Sequence, residues 1–519
     1  MIIGMVLVFL YQKNKMDSVI KSVCILGGGT SGWLTACHLS YNLPPQVKIT
    51  LIESSKIGTI GVGEGTQPFT TAFLYECGLK PEDWMRGCDS TYKLGVELEN
   101  WADVPVFVDN DTSDTAILGN GVMMHDYILG TKKTKQEFVN WIPSYQLARN
   151  NKSPKLDDHR LDFTYGLNGQ SWDAVHFRAD KITETLKRSC KHKLEYYDDE
   201  VIKVHSDANG VAGLETKNNG TLTADLYIDC TGFKSMLLEE TLNEPFISFN
   251  DTLICDRAVA LPKDYNANRR EAMHPYTKAI TMDSGWRWQI PTWSRIGNGY
   301  VYSSKHCTPE QAEQQLRDAI GEYEAEANHL HMKIGKHKNI AVKNVYAVGL
   351  SAGFVEPLEA TGITFTTKAV QNLTRIILQR NGIYDDNSRE YLSREFETMI
   401  DEIHNFIFIH YNLCHRNDTD FWKDVHNIKL PPSVEKLYKI FKPAPPPALH
   451  MKGMYDMFHV GQWFELLFLM GFYDDTNLEI TDAVKKYGDL SYNLYKTKTD
   501  AQLEAFPNHA LYLRDWYGD

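Results

Sequence analysis

An α/β fold with a Rossmann-type unit and a C-terminal helical piece is predicted by three features of the sequence. Near the N-terminus a short apolar run passes into a glycine turn and then a helical pattern. Two further apolar runs far along the chain, Leu226 to Asp229 and Val345 to Val348, end in small-residue turns of their own (Cys230-Thr231-Gly232 and Gly349-Leu350-Ser351). Helical patterns dominate from Thr366 onward. Strands so far apart that each feed such a turn fit one sheet gathered around a single long ligand.

Composition narrows the class. The chain has 519 residues, 43% hydrophobic and 23% charged, ordinary values for a globular protein. A mean hydropathy of −0.38 excludes a polytopic membrane protein. With Lys+Arg 54 against Asp+Glu 67 the net charge is −13, which repels phosphate backbones, so nucleic acid is not an expected partner. The nine cysteines have no CxxC spacing and read as reduced, buried thiols of a cytoplasmic protein. The apolar run Ile2 to Tyr11 is far shorter than the roughly 20 residues of a spanning helix, so residues 1–15 are expected to be a dispensable extension rather than a membrane anchor.

Taken in order, Ile20 to Leu26 reads as a buried strand that runs into Gly27-Gly28-Gly29-Thr30-Ser31-Gly32 and a helix from Trp33. A second strand, Val47 to Ile52, ends in Glu53, about 20 residues after the last glycine, where a dinucleotide fold needs an acid for ribose hydroxyls. Glycines at these points let the backbone approach a pyrophosphate at the helix N-terminus. The loop Ile57 to Pro68 (IGTIGVGEGTQP) is rich enough in glycine to lie against a ligand. Between Trp101 and His176 no single period is legible. Prolines at 431, 432, 443 and 445 to 447 predict a stiff connector. A boundary placed there divides a core of residues 16–430 from a helical subdomain of residues 431–519.

Three segments carry chemistry-bearing residues. In Gly285-Trp286-Arg287-Trp288-Gln289-Ile290-Pro291 an extended chain puts Trp286, Trp288 and Ile290 on one face. Lys93 stands alone in the run TYKLGV, Thr91 to Val96. In Gly349 to Gly362 (GLSAGFVEPLEATG) a turn feeds a helix, so the N–H groups of Thr361 and Gly362 point where an anion could sit. No metal is expected. His404, His410, Cys414 and His415 lack ligand spacing and read as structural, and His329, His331 and His337 read as solvated side chains.

Together these segments resemble the flavin-dependent halogenases of the tryptophan halogenase type. The resemblance runs through GGGTSGW, GVGEGTQP, ADLYIDCTGF (Ala224 to Phe233), GWRWQIP, GLSAGFVEPLEATGI and DEIHNFIFIHYNLCHRNDTDFW (Asp401 to Trp422). It implies an FAD-binding, flavin-monooxygenase-like α/β fold: the GxGxxG Rossmann-type unit, a substrate-side sheet and the C-terminal helical subdomain. By the same resemblance Gly27, Gly29, Thr30, Ser31, Gly32, Glu53 and Leu350 bind FAD, and Gly61, Val62, Gly63 and Glu64 form a strap over the flavin. Thr361 and Gly362 hold a halide, Lys93 and Glu359 are catalytic, and Trp286, Trp288 and Trp463 line the substrate pocket.

The implied reaction uses FADH2, O2 and chloride, bromide or iodide to make a hypohalous acid. That oxidant is led to Lys93, which either hydrogen-bonds it or forms an N-haloamine, and halogenates an indole- or phenol-type ring whose proton Glu359 removes. No second glycine fingerprint for NAD(P)H is apparent, so a separate flavin reductase is the implied partner. The tyrosine pair and glutamate with which family members take free tryptophan are not evident around Met454 to Tyr473. The competing readings are an aromatic hydroxylase of the same fold and a non-catalytic flavin-binding scaffold.

Overall fold

The apolar run before the glycine turn becomes the strand Ser22–Leu26, near the centre of a six-stranded sheet. Across the sheet the order is Glu195–Asp198, Lys48–Glu53, Ser22–Leu26, Leu226–Asp229, Val345–Ala347 and Ala341–Val342. All neighbours are parallel except the last pair. Ile25 lies between Leu51 and Ile228 in register, and all three are fully buried. The central strands are buried on both faces, which is why they read as unbroken apolar runs rather than as alternating ones. Each buried aliphatic side chain contributes about 1.5–3 kcal/mol. The computed structural model describes residues 19–56, 63–110, 117–118, 122–155, 173–265, 273–443, 445 and 457–518. The extension at residues 1–15 and the strap residues Gly61 and Val62 lie outside these.

The glycine turn is dictated by close packing. Gly27 has φ +113°, and a Cβ there would stand 2.2 Å from the carbonyl oxygen of Cys230. One at Gly32 would stand 1.9 Å from the carbonyl oxygen of Gly27. Gly27→Ala therefore meets both a left-handed backbone penalty of about 1–2 kcal/mol and a clash. We expect a lower urea midpoint and weaker retention of FAD on gel filtration; an unchanged midpoint and unchanged FAD retention would contradict this account of the turn.

A seven-stranded sheet forms the other side of the molecule, in the order Asn328–His331, Arg257–Asp264, Arg295–Tyr302, Gly285–Pro291, Thr277–Met282, Gly95–Glu99 and Val106–Asp109. Its Gly285–Pro291 strand alternates as expected, with Trp286, Trp288 and Ile290 buried and Arg287 and Gln289 partly exposed. Trp288 lies opposite Gly299 in the neighbouring strand, where a Cβ would stand 2.0 Å from the indole. The glycine opposite is what makes room for the second tryptophan. Between the two large sheets runs a small antiparallel one, in which Ala174–Arg178 pairs with both Gly63–Gly65 and Thr91–Lys93.

The stretch without legible period contains the strand Val106–Asp109 and the helices Met124–Gly130, Lys135–Trp141 and Pro143–Arg149. Part of the proline-rich stretch is helical: Pro432 opens the helix Pro432–Phe441, whose Val434, Leu437 and Phe441 are buried. Pro at a first helical position costs no hydrogen bond. The C-terminal helices pack directly on the strands that carry the site. Gln462 Nε2 donates to the Asp109 carbonyl at 2.7 Å, and Tyr92 N donates to His509 Nε2 at 3.2 Å. Trp293 stacks on Tyr517 with ring centres 4.4 Å apart. All nine cysteines are buried and free. Among the described residues no helix is long and apolar enough to cross a membrane.

Candidate active site

The nucleotide end of the site is built on the helix Thr30–Asn42, which starts after Gly29 with no side-chain cap and no acid in its first turn. Its leading N–H groups thus lack a competing side-chain anion. Thr30 and Ser31 open this helix, and a Cβ on Gly349 would stand 2.1 Å from Ser31 Oγ, so the turn carrying Leu350 lies against the first. Glu53 closes the pocket at the end of its strand. The sequence left this acid free for ribose, whereas in the structure its Oε1 accepts from Lys187 Nζ and from Tyr196 at 2.7 Å, and its Oε2 from Trp33 Nε1 at 3.0 Å. A carboxylate offers roughly four acceptor sites, and three donors leave room for a hydroxyl. The residues present fit FAD.

The strap enters as Gly63–Gly65, with Glu64 opposite Phe177 and its carboxyl pushed up to about 7 by burial. Gly65 reaches the far end of the site, since a Cβ there would lie 3.5 Å from Cβ of Ala360. The next two residues join Lys93 and Glu359. Lys93 Nζ donates to the Thr66 carbonyl at 2.9 Å, and Gln67 Nε2 donates to the Glu359 carbonyl at 3.4 Å. Lys93 is 3% exposed. Burial pushes its ammonium down to about 8, opposed by the carboxylate of Glu359. Two residues about half the chain apart in sequence thus share one dry compartment.

Glu359 ends the turn Pro357–Glu359, and Ala360, at φ +56°, reverses the chain into the helix Thr361–Gln379. That helix has no side-chain cap. Thr361 is fully buried and its Oγ1 lacks a hydrogen-bond partner among the described residues. A Cβ on Gly362 would meet nothing within 4 Å. Uncapped amides, an orphaned hydroxyl and open space over a glycine suit a monatomic anion.

Three residues that sequence reasoning missed complete the site. His176 is fully buried. The hydroxyl of Thr91 donates to the Pro291 carbonyl at 2.6 Å, so Nδ1 of His176 donates to Thr91 Oγ1 at 3.1 Å, and Nε2 accepts from Thr277 at 2.9 Å. Burial, helped by Lys93, holds this imidazole well below its ordinary value and hence neutral. It ties the lysine strand, through Thr91, to Thr277 in the strand beside the tryptophan strand. Glu356, three residues before Glu359, accepts at Oε2 from Trp286 Nε1 at 3.2 Å and from the Tyr411 hydroxyl, and burial pushes its carboxyl up to about 7. Trp286 is therefore anchored beside the turn that carries Glu359, with Trp288 6.3 Å away between ring centres.

The third is His410. Expected to be structural, it meets Oε1 of Glu359 at 2.9 Å. The sequence held a signal for this, the adjacent pair His410-Tyr411 and the spaced pair Glu356 and Glu359, but nothing in it joins the two. His404 is held by Thr252, His415 pairs with Asp103, and His329 pairs with Glu313 at the surface, whereas His337, expected to be solvated, is buried and meets Glu239 at 3.0 Å. Among the described residues no group of three or more His, Cys, Asp or Glu is arranged to hold a metal. Trp463 is buried edge-on to Phe406, 4.8 Å between centres, and Phe406 in turn borders His410.

Comparisons with known proteins agree with this architecture. The family model described as tryptophan halogenase matches residues 22–486. Tryptophan 6-halogenase SttH of Streptomyces toxytricini is 34% identical over 440 residues, 81% of this chain and 83% of its own. The 7-chloro-L-tryptophan 6-halogenase KtzR of Kutzneria sp. (strain 744) is 33% identical over 456 residues, 81% of this chain and 88% of its own. Among solved structures, Tar14, a tryptophan C-6 flavin-dependent halogenase (chlorinase) from taromycin biosynthesis, superposes with a TM-score of 0.86 at 32% identity, covering 96% of this chain and 99% of that one. A glycine-turn nucleotide unit, a buried lysine and glutamate, and a tryptophan-bearing strand anchored to the glutamate's own turn thus occur in a chain that belongs to the tryptophan halogenase family and is a flavin-dependent halogenase.

Proposed function

We propose that this chain converts halide to hypohalous acid with FADH2 and O2 and delivers it through a closed passage to an aromatic ring of the indole class. The observation that carries this reading is the burial of Lys93 beside Glu359, joined through Thr66 and Gln67 and next to the uncapped amides of Thr361 and Gly362. When bound, reduced FAD supplies with O2 the two-electron oxidation of halide. Gly27, Gly29, Thr30, Ser31, Gly32, Glu53 and Leu350 would hold that cofactor, and Gly63 and Glu64 would lie over it.

Thr361 and Gly362 hold the halide through backbone N–H groups, which stabilise negative charge without a side chain that would itself be oxidised. Lys93 receives the hypohalous acid and presents its halogen to the ring. Trp286 and Trp288 wall the passage and exclude water, which keeps an indiscriminate oxidant from escaping. Glu359 stabilises the cationic ring and then takes its proton. Residues 431–519 act as a helical subdomain behind the core of residues 16–430, and Trp463 contributes the aromatic wall on that side. The names of the relatives support an indole substrate, since SttH and Tar14 are named for tryptophan and KtzR for a chlorinated tryptophan. A separate flavin reductase supplies FADH2.

The test is mass spectrometry of an indole and phenol panel, tryptophan included, incubated with the protein, FAD, a flavin reductase, NADH, air and each halide in turn. A halogen mass shift on an indole is the expected result. An oxygen-only shift would overturn the reading in favour of hydroxylation, and a halogen shift confined to phenols would overturn the substrate class.

A further inference from the structure

Two adjacent residues at the end of one helix grip the two carboxyl groups of the catalytic turn. The helix Asp386–Asn412 ends in His410 and Tyr411, with His410 as the base of its last turn. His410 meets Glu359, and Tyr411 donates to Glu356. His410 is closed off from solvent: its relative exposure is 0%, and Phe406 and Trp101 pack edge-on against its ring at 5.1 and 6.2 Å.

The hydrogen bonds of His410 determine its protons. Nδ1 lies 2.8 Å from the carbonyl oxygen of Phe406, which can only accept, so Nδ1 carries a hydrogen. Nε2 lies 2.9 Å from Oε1 of Glu359, and one further proton must occupy that contact. Two helix ends decide which side it prefers. His410 sits where the C-terminal dipole of its helix favours a cation, whereas Glu359 sits just before the N-terminus of Thr361–Gln379, which favours an anion. Lys93 faces the same carboxylate and adds to that preference.

We propose, building on the function above, that His410 is a positioning residue held as an imidazolium, which keeps Glu359 ionised and aimed at the ring proton. Tyr411 and Trp286 offer Glu356 only neutral donors, in a fully buried pocket. The end of one helix thereby assigns the base role to one of two carboxyl groups three residues apart. In the step itself the C–H bond of the cationic ring breaks, its electron pair restores aromaticity, and the proton passes to the Glu359 carboxylate while His410 keeps its own.

Two measurements test this. Histidine 15N labelling of the resting protein, at a pH well above the ordinary histidine value, should reveal an imidazole with both nitrogens protonated that Glu359→Gln converts to a singly protonated ring, which distinguishes it from His38 and His337, paired with Glu76 and Glu239. A singly protonated His410 in the unaltered protein would overturn the proposal, and this readout needs neither activity nor a substituted histidine. In His410→Gln, which keeps a donor but no positive charge, ring halogenation should fall about 10²-fold in kcat with little change in KM. A ring C–D isotope effect should emerge as proton removal becomes slow, while halogenation of a diffusible β-diketone trap continues at the original rate. Unchanged kcat with no isotope effect, or loss of the trap reaction together with the ring reaction, would overturn it. Failure of the unaltered protein to halogenate any ring would instead count against the proposed function, with the 15N result still deciding the state of His410.

Discussion

Lys93→Ala lowers ring halogenation at least about 10³-fold, within the range for loss of a positioned catalytic group, while the protein still binds FAD. Flavin retention is expected because Lys93 contacts the strap through one bond, to the Thr66 carbonyl, and that peptide is also held by Val175 on both its N–H and its side-chain oxygen. Oxidant formation continues and is measured with a diffusible trap; ring halogenation at the original rate in this variant would remove Lys93 from the mechanism. Lys93→Arg should fail equally if the amine itself attacks, because a guanidinium has no free amine to offer, and should retain ring halogenation if a charged hydrogen-bond donor suffices. The pH dependence separates the two ways in which the lysine can act. Burial lowers Lys93 to about 8, so the neutral amine accumulates as pH rises through that value. A single-turnover rate that climbs through pH 8 and levels only above it identifies attack by the amine to form a haloamine. One that declines through the same range identifies an ammonium donating a hydrogen bond.

Glu359→Gln lowers turnover by about 10²–10⁴-fold, as expected when a general base becomes an amide, and leaves the product pattern unchanged. The substitution preserves shape, so the ring is presented in the same orientation and only its proton has nowhere to go. The Gln67 bond to the backbone of residue 359 is also preserved. Stopped-flow measurement of halogenated product, with and without ring deuterium, checks this; an unaltered rate would exclude the carboxylate. Glu356→Gln makes the contrast. Its carboxyl is pushed up to about 7 by burial and accepts from Trp286 and Tyr411, so the same change there should act on stability more than on turnover.

The elements of the fold were legible where one local rule governs them. The strands Ser22–Leu26, Lys48–Glu53, Leu226–Asp229 and Val345–Ala347 announce themselves because strands buried on both faces must be apolar throughout. The alternation of Trp286, Trp288 and Ile290 was readable because a pleated chain has period two. Residues between Trp101 and His176 were not, since their helices are short and the strand Val106–Asp109, paired with Gly95–Glu99, is tied at Asp109 to Gln462 and Glu465 of a distant helix. The strap residues Gly63 and Glu64 were visible as glycine-rich sequence. What the segment joins, Thr66 to Lys93 on one side and Gln67 to Glu359 on the other, was not.

By itself the sequence determined the fold class, the nucleotide turn and the family, because glycine spacing, strand patterning and the tryptophan motif are contiguous and carry their own geometry. Only the tertiary structure decided which groups meet. It set Lys93 beside Glu359, occupied Glu53 with Lys187, Tyr196 and Trp33, anchored Trp286 on Glu356, and turned His410 from a core histidine into the partner of Glu359. These are contacts between segments distant in the chain. Their strength depends on shared burial, where a carboxylate without a donor is costly, and no local pattern records which donor will arrive.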